Sequence, residues 1–439
     1  MVIVVYCLKS KGGQMKFEPE LYHLSNGIPV ILDPMDLKTA TVKIVFKTGG
    51  RDESPKEFGI THFCEHMFFR GTPRFPTQRS ADEFLDYNAG YKNAYTSMEE
   101  ICFYGRILSE NVNVLIDVLT DQIQNALFLD ERIEIERRAI TDELRRSLDS
   151  QDREYARFRD KTLFGIYVPN GSPVLGNFEN IANFSRQQML DFIARRFSAK
   201  NCIIAISGGI QDKESILKCL EKNISFLPKI DVPENKKLVY TPTVAHDRKP
   251  KNNDVKLRIY FPRLYDSTLE NRYKRFAVGN LFDFIREELY NVIRRENGLA
   301  YGFSCGHCGN EEFLLDAYST KTSPENIKPV VALVAQNIYR LYSNQVVTAE
   351  VLDRFNKSGR LEDADFLESA QKRCDKLISF YKLYNKVYDY DEVIRLCESI
   401  TPQEVFEFSR GMFDGPMSIL TQGPDFDCDV KQVWTDNFK

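Results

Sequence analysis

No run of 18 apolar residues occurs anywhere in the chain, so no segment is expected to cross a membrane as a helix. No basic excess occurs either. Lys and Arg number 59 against 63 Asp and Glu, a formal net charge of −4. That balance gives no support for a nucleic-acid partner, whose footprint is a basic stripe. Cysteine is sparse: ten in 439 residues, irregularly spaced, too few for a disulfide scaffold, and read as reduced thiols. The opening Met1–Leu8 is apolar but lacks the basic start and small-residue cleavage site of a secretory signal. It also lacks the arginines of a transit peptide, and a cytoplasmic location is the expectation. Residues 1–14 read either as an N-terminal strand or as a loose extension ahead of Met15. What remains is an ordinary globular composition, 43% hydrophobic and 28% charged, long enough for two or three domains.

The clearest break is a proline-dense stretch holding Pro228, Pro233, Pro242 and Pro250, with the basic run Arg248-Lys249-Pro250-Lys251. Little periodicity and much proline mark a linker at 228–254 between domains at 15–227 and 255–439. The two halves resemble one another. Thr41–Phe46 (TVKIVF) and Lys256–Phe261 (KLRIYF) both alternate as half-buried strands do. Ser185–Phe197 and Thr401–Phe413 each open on a hydroxyl N-cap, carry an amphipathic helix and run into an apolar strand. Both matches are about 215 residues apart. A repeat that long is a duplicated domain. The expected class is α+β: two homologous domains, each a mostly antiparallel sheet covered by helices.

Two of the five histidines fall in one short segment, His62-Phe63-Cys64-Glu65-His66. On a helix, His62 and His66 share a face one turn apart, a ready grip for Zn²⁺. Glu65 lies beside that face, where a carboxylate can take a proton from the water a metal activates. A chance pattern on an amphipathic helix is the plainer reading. Against it stand the apolar flanks Phe58, Ile60, Phe63, Met67, Phe68 and Phe69, among which unpartnered polar groups are expensive. A catalytic zinc needs a third protein ligand. In Leu129–Asp149 the core stripe is marked by Ile133, Ile140, Leu144 and Leu148, and Glu136 and Glu143, seven apart, flank Ile140 on it. Most helix carboxylates are simply solvated, but two aligned with a core face need a cation or donors. Glu143 is assigned as the third ligand and Glu136 as the group that orients a ligand or water.

With these residues in place the chain resembles the pitrilysin family of inverzincin metallopeptidases, which includes insulin-degrading enzyme and the mitochondrial processing peptidase. It is most similar to short bacterial members and to the processing peptidase's catalytic subunit. Family members carry a glutamate ligand well downstream of the second histidine with another glutamate seven residues before it, and Glu143 and Glu136 match. Asn93-Ala94-Tyr95-Thr96-Ser97 resembles the family's N-A-x-T strand, which implies that Asn93, Ala94, Tyr95 and Thr96 offer backbone to an extended substrate. The segment from Arg294 through Gly298 and Leu299 to Tyr301 resembles the family's R-x-x-x-G-L-x-Y. By that likeness Arg294 and Tyr301 assist at the substrate carbonyl. Two departures stand out: Ala89-Gly90 where a glycine pair is common, and Ile101 where many members have Thr. The second half has no zinc motif; the repeat offset puts the ligand positions near Val278, Leu281 and Phe282. Cys305 and Cys308, expected on opposite faces of one strand, read as plain cysteines.

The resemblance implies one Zn²⁺ per chain held by His62, His66 and Glu143, and Glu65 as general base in an endopeptidase acting on extended or unfolded peptides. It also implies an enclosed chamber, formed by a homodimer or by a heterodimer with a related subunit. The alternatives are a presequence-processing peptidase that needs a partner subunit, and a non-catalytic structural member of the family.

Overall fold

The computed structural model describes residues 17–233, 238–264, 282, 284–309, 313–343 and 346–439. Residues 1–14, for which a strand or a loose extension was expected, lie outside them. No described helix is long and apolar enough to cross a membrane.

The chain divides into two compact units, and neither is contiguous. The first takes residues up to Glu154, Tyr167–Lys236 and Asp363–Tyr388; the second takes Tyr155–Ile166, Lys237–Glu362 and Asp389–Lys439. The expected boundaries of 15–227 and 255–439 therefore need correction by two helices. Ala370–Tyr384 belongs with the first unit, and most of Gln151–Phe164 with the second.

The first unit is built on a six-stranded sheet in the order Glu20–His23, Pro29–Pro34, Cys202–Gly208, Thr39–Phe46, Ile101–Leu108, Gly90–Thr96. Only the pair Pro29–Pro34 with Cys202–Gly208 is parallel. The second unit has a five-stranded sheet in the order Phe303–Gly309, Phe313–Thr322, Val255–Leu264, Ser418–Gly423, Val244–Arg248, again with one parallel pair. Strand for strand this repeats the first sheet without its outermost member. The expected duplication is therefore visible in topology. Its two capped helices are there as well, with Ser185 and Thr401 each closing a capping box.

Within the expected linker, Val244–Arg248 is a strand that pairs in parallel with Ser418–Gly423. Proline density hid it. The prolines flank the strand rather than interrupt it, which an edge position tolerates.

The two alternating strands are not half-buried as expected. Val42, Ile44 and Phe46 face the apolar core, where the Phe46 ring lies tilted 4.2 Å from that of Phe197 and Phe68 lies edge-on to Phe103 at 5.2 Å. Thr41 and Lys43, on the other face, are equally inaccessible. Helix Ala370–Tyr384 covers them. Its Asp375 pairs with Lys43, its Cys374 thiol reaches Ser207 at 3.2 Å, and its Arg373 grips Asp33 with two bonds of 2.7 Å. In the second unit, helix Gln151–Phe164 does the same. The ring of Tyr155 lies 5.0 Å from the Lys256 ammonium and 4.5 Å from the Arg258 guanidinium. The Tyr155 hydroxyl also meets that of Tyr260 at 3.1 Å. Each half of the sequence thus lends one helix to the polar face of the other half's sheet.

Candidate metal centre

Helix Ile60–Phe68 carries the H-x-x-E-H motif. It starts at Gly59, whose φ of 95° lies in the left-handed region and whose missing Cβ would stand 2.6 Å from the Leu175 carbonyl oxygen. The Glu53 carboxylate accepts the N–H groups of Gly59 at 2.7 Å and Thr61 at 2.9 Å, capping donors that a helix start leaves open. Ile60, Phe63, Cys64, Met67 and Phe68 bury one face in the core, so His62 and His66 project from the other. Cys64 is a core thiol, as its angular position predicts.

Helix Asp130–Asp149 runs beside it, with Ile133, Ile140 and Leu144 in the core. The stripe expected from the sequence brings Glu136 and Glu143 to the histidines. Glu143 Oε2 lies 3.7 Å from His62 Nε2 and 3.8 Å from His66 Nε2. One ligand atom from each of the three residues falls within 4.8 Å of the others, the only such cluster among the described residues. Tetrahedral zinc bonds of 2.0–2.2 Å place ligand atoms about 3.4 Å apart. The three residues fit that ion with small adjustment. Burial holds His62 far down, to about 3, with His66 and Arg153 adding repulsion, so its imidazole is neutral and fit to ligate.

His66 has its other nitrogen tied down: Nδ1 meets Glu136 Oε2 at 2.8 Å. Glu136 is 1% exposed and is itself held by Arg70, through Nη2 at 2.8 Å and Nε at 2.7 Å. Burial opposes its charge, but the bonds from His66 and Arg70 win and hold the Glu136 carboxyl below its ordinary value. The carboxylate then accepts the Nδ1 proton and leaves the Nε2 lone pair, on the side of Glu143, free to ligate a metal. Arg70 was not anticipated. The one signal available was its position four residues after His66, the helical spacing that brings side chains together. Glu136→Gln is expected to weaken zinc affinity by about 10–100-fold. Titration of the apo protein with zinc against a competing chelator reads this directly, and an unchanged constant would remove Glu136 from the site.

Glu65 lies on the same helix as the histidine pair, one residue before His66. The hydroxyl of Thr96 donates to its Oε2 at 2.5 Å. Burial raises the Glu65 carboxyl, Thr96 and His66 counter it, and Glu143 adds to it; the net direction is upward, as suits a proton acceptor near neutral pH. Thr96 therefore has a role the sequence did not disclose: its side chain holds the Glu65 carboxylate. The strand Gly90–Thr96 pairs with Ile101–Leu108 on one side, and no strand among the described residues pairs with its outer edge. Asn93, Ala94, Tyr95 and Thr96 thus lie on an edge, as the peptide-docking expectation requires. Ala89, just before the strand, has a φ of 55°. The departure from a glycine pair therefore puts an alanine in a backbone region that favours glycine.

Arg294 and Tyr301 are in the second unit. Arg294 sits on the wide turn Asn291–Glu296, its guanidinium 5.1 Å from the Tyr301 ring, and Tyr301 is 87% exposed. The two form a cation–π pair with each other. Cys305 and Cys308 occupy opposite faces of strand Phe303–Gly309 and pack against different apolar clusters, as plain strand cysteines do. Phe282 is buried in that unit's core; Val278 and Leu281 lie outside the described residues.

Glu53 predicts a pH effect. Burial raises its carboxyl to about 8 against an ordinary 4.5, the N–H bonds only partly offsetting it. The folded state then holds a proton that the unfolded chain releases, so this group's contribution to stability falls as pH rises from 4.5 to about 8. Melting curves of wild type and Glu53→Gln across that window are expected to shift in favour of the variant as pH rises. A gap that stays constant contradicts the assignment. Glu53→Ala, which leaves both N–H groups open, is expected to lose about 1–3 kcal/mol at the acid end of that window and less as pH rises through it.

A duplicated α+β fold with two histidines, a glutamate and a flanking carboxylate on adjacent helices has the make-up of a metallopeptidase-type centre. The chain belongs to peptidase family M16. The family model for Insulinase (Peptidase family M16) matches residues 31–167, and that for the Peptidase M16 inactive domain matches residues 183–356. An "Uncharacterized zinc protease" of Rickettsia bellii is 26% identical over 422 residues, covering 94% of this chain and 99% of that protein. A probable mitochondrial-processing peptidase subunit beta of Arabidopsis thaliana is 34% identical over 200 residues, 45% of this chain and 37% of that protein. Among solved structures, a peptidase M16 inactive domain from Pseudomonas fluorescens superposes with a TM-score of 0.80 at 15% identity, covering 94% of this chain and 99% of that one. A protease from Helicobacter pylori gives 0.77 at 16%, covering 93% and 100%. These two likenesses concern the fold.

Proposed function

We propose that the chain is a zinc endopeptidase that hydrolyses extended or unfolded peptides. The observation that carries this reading is that Glu65, on the helix that bears His62 and His66 of the metal cluster, is bonded to Thr96 of a strand whose outer edge no described strand pairs. A zinc ion held there would polarise the scissile carbonyl and acidify the attacking water. Glu65 takes the proton from that water and passes it to the leaving amine. The edge strand orders the peptide beside it through backbone hydrogen bonds. Glu136 and Arg70 keep His66 in the ligating orientation. Arg294 and Tyr301 are assigned by family likeness to the substrate carbonyl.

The test is metal content by elemental analysis together with cleavage of quenched fluorescent peptides. The expected result is about one zinc per chain. Cleavage is expected to stop on chelation and to return with zinc. A zinc-free protein that cleaves nothing would leave only the fold. We further propose a homodimer enclosing a chamber. The likeness to mitochondrial-processing peptidase subunits beta supports a second reading, a processing peptidase with a separate partner subunit. Light scattering separates the two, since only the first gives a dimer of this chain alone.

A further inference from the structure

The edge strand Gly90–Thr96 has two faces, and the structure treats them differently. Lys92, Ala94 and Thr96 point to the side of the metal helix. Ala94 joins the core, Thr96 bonds Glu65, and the Lys92 ammonium lies 4.8 Å from the Phe69 ring. Tyr91, Asn93 and Tyr95 point to the opposite face. Helix Ala370–Tyr384 covers that face over Pro29–Pro34, Thr39–Phe46 and Cys202–Gly208. At the edge strand the rings are open: Tyr91 is 49% exposed and Tyr95 37%. Tyr95 is nonetheless held in place. Its hydroxyl donates to Glu100 at 2.6 Å, and the other Glu100 oxygen accepts from Lys382 at 2.5 Å. Its ring lies 6.1 Å from that of Tyr104.

We propose that Tyr91 and Tyr95 are specificity-determining residues that select large apolar side chains at two substrate positions four residues apart, with a polar position midway opposite Asn93. This rests on the reading of the chain as a peptidase whose substrate adds to this edge. A peptide paired with the strand presents every second side chain to the tyrosine face, with neighbouring Cβ atoms about 5 Å from those of the strand. Opposite Tyr95 and Tyr91 those side chains meet aromatic surface, which rewards apolar contact. Opposite Asn93 they meet an exposed amide. Glu65 is bonded to Thr96, so the cut falls at the Thr96 end of the strand. Both apolar positions then lie on the same side of the cut. One is close to it, opposite Tyr95, and the other is about 14 Å further along, opposite Tyr91.

The experiment is a library of ten-residue peptides whose cleavage sites are read by mass spectrometry, run on wild type, Tyr91→Ser, Tyr95→Ser and Tyr95→Phe. In parallel, binding of fluorescent peptides carrying or lacking the pattern is measured by anisotropy on Glu65→Gln. Wild type is expected to enrich large apolar residues at two positions four apart. Tyr91→Ser is expected to lower the far preference and Tyr95→Ser the near one, each by about 2- to 10-fold. Tyr95→Phe should keep the near preference, because the ring is retained. Preferences that survive both serine variants, or that sit at any other spacing, overturn the inference while the peptidase reading stands. If wild type cleaves nothing, that reading falls, and anisotropy decides the inference alone. A patterned peptide binding more tightly than the unpatterned one upholds it, and equal or absent binding overturns it.

Discussion

Glu65→Gln is expected to keep its zinc and lose turnover by about 10²–10⁴-fold. The side chain is nearly isosteric and can still accept the Thr96 hydroxyl through its amide oxygen, so the pocket should keep its shape. It cannot take a proton. Glu65 contributes no ligand atom to the His62/His66/Glu143 cluster, so zinc content should be unchanged. The measurement is paired: metal per chain by elemental analysis and kcat on a fluorescent peptide. Loss of both metal and turnover would mean that Glu65 acts through the ligands rather than as the base. Retention of turnover would remove it from the mechanism.

Arg373→Ala is expected to destabilise the first unit by about 3–5 kcal/mol. Arg373 is 1% exposed and Asp33 0%, and the guanidinium spends two bonds on that carboxylate and a third, at 3.1 Å, on the Leu367 carbonyl. Removing it leaves the buried Asp33 charge without its counter-ion, with only the Ser207 bond left, which is far costlier than losing a surface pair. The control is the double change Arg373→Met with Asp33→Leu, which removes both charges and fills the space. It should recover most of the loss, as buried pairs replaced by apolar residues commonly do. Urea unfolding followed by fluorescence reads both. A single variant within 1 kcal/mol of wild type, or a double variant as unstable as the single one, contradicts the account.

The parts of this molecule legible in its sequence are those written in one helix or one strand. His62, Glu65 and His66 need only a turn of helix to meet, and Glu136 and Glu143 only the alignment of residues seven apart. The docking of those two helices was inferred from the chemistry of the donors, and Glu143 Oε2 lies 3.7 and 3.8 Å from the two histidine nitrogens. What stayed hidden depends on partners distant in sequence. Lys43 and Thr41 looked like the solvent side of a strand, because nothing nearby says that Asp375 and Cys374 will cover them. Tyr155 gave no sign that it would pack on Lys256 and Arg258. Thr96 and Glu53 escaped for a related reason. A hydroxyl and a carboxylate in loops and strands are common, and their value lies in what they bond.

The loan of one helix by each half sets a clock on synthesis. The last strand of the first sheet, Cys202–Gly208, leaves the ribosome long before Ala370–Tyr384, the helix that supplies the Asp33 partner and shields Lys43. At ~5–20 residues per second the nascent sheet waits on the order of 10–30 s with an ionic, uncapped face. A chain released early, or cut between its halves, is stranded in that state. Fragments divided near residue 230 should therefore need each other, or a chaperone, to stay in solution.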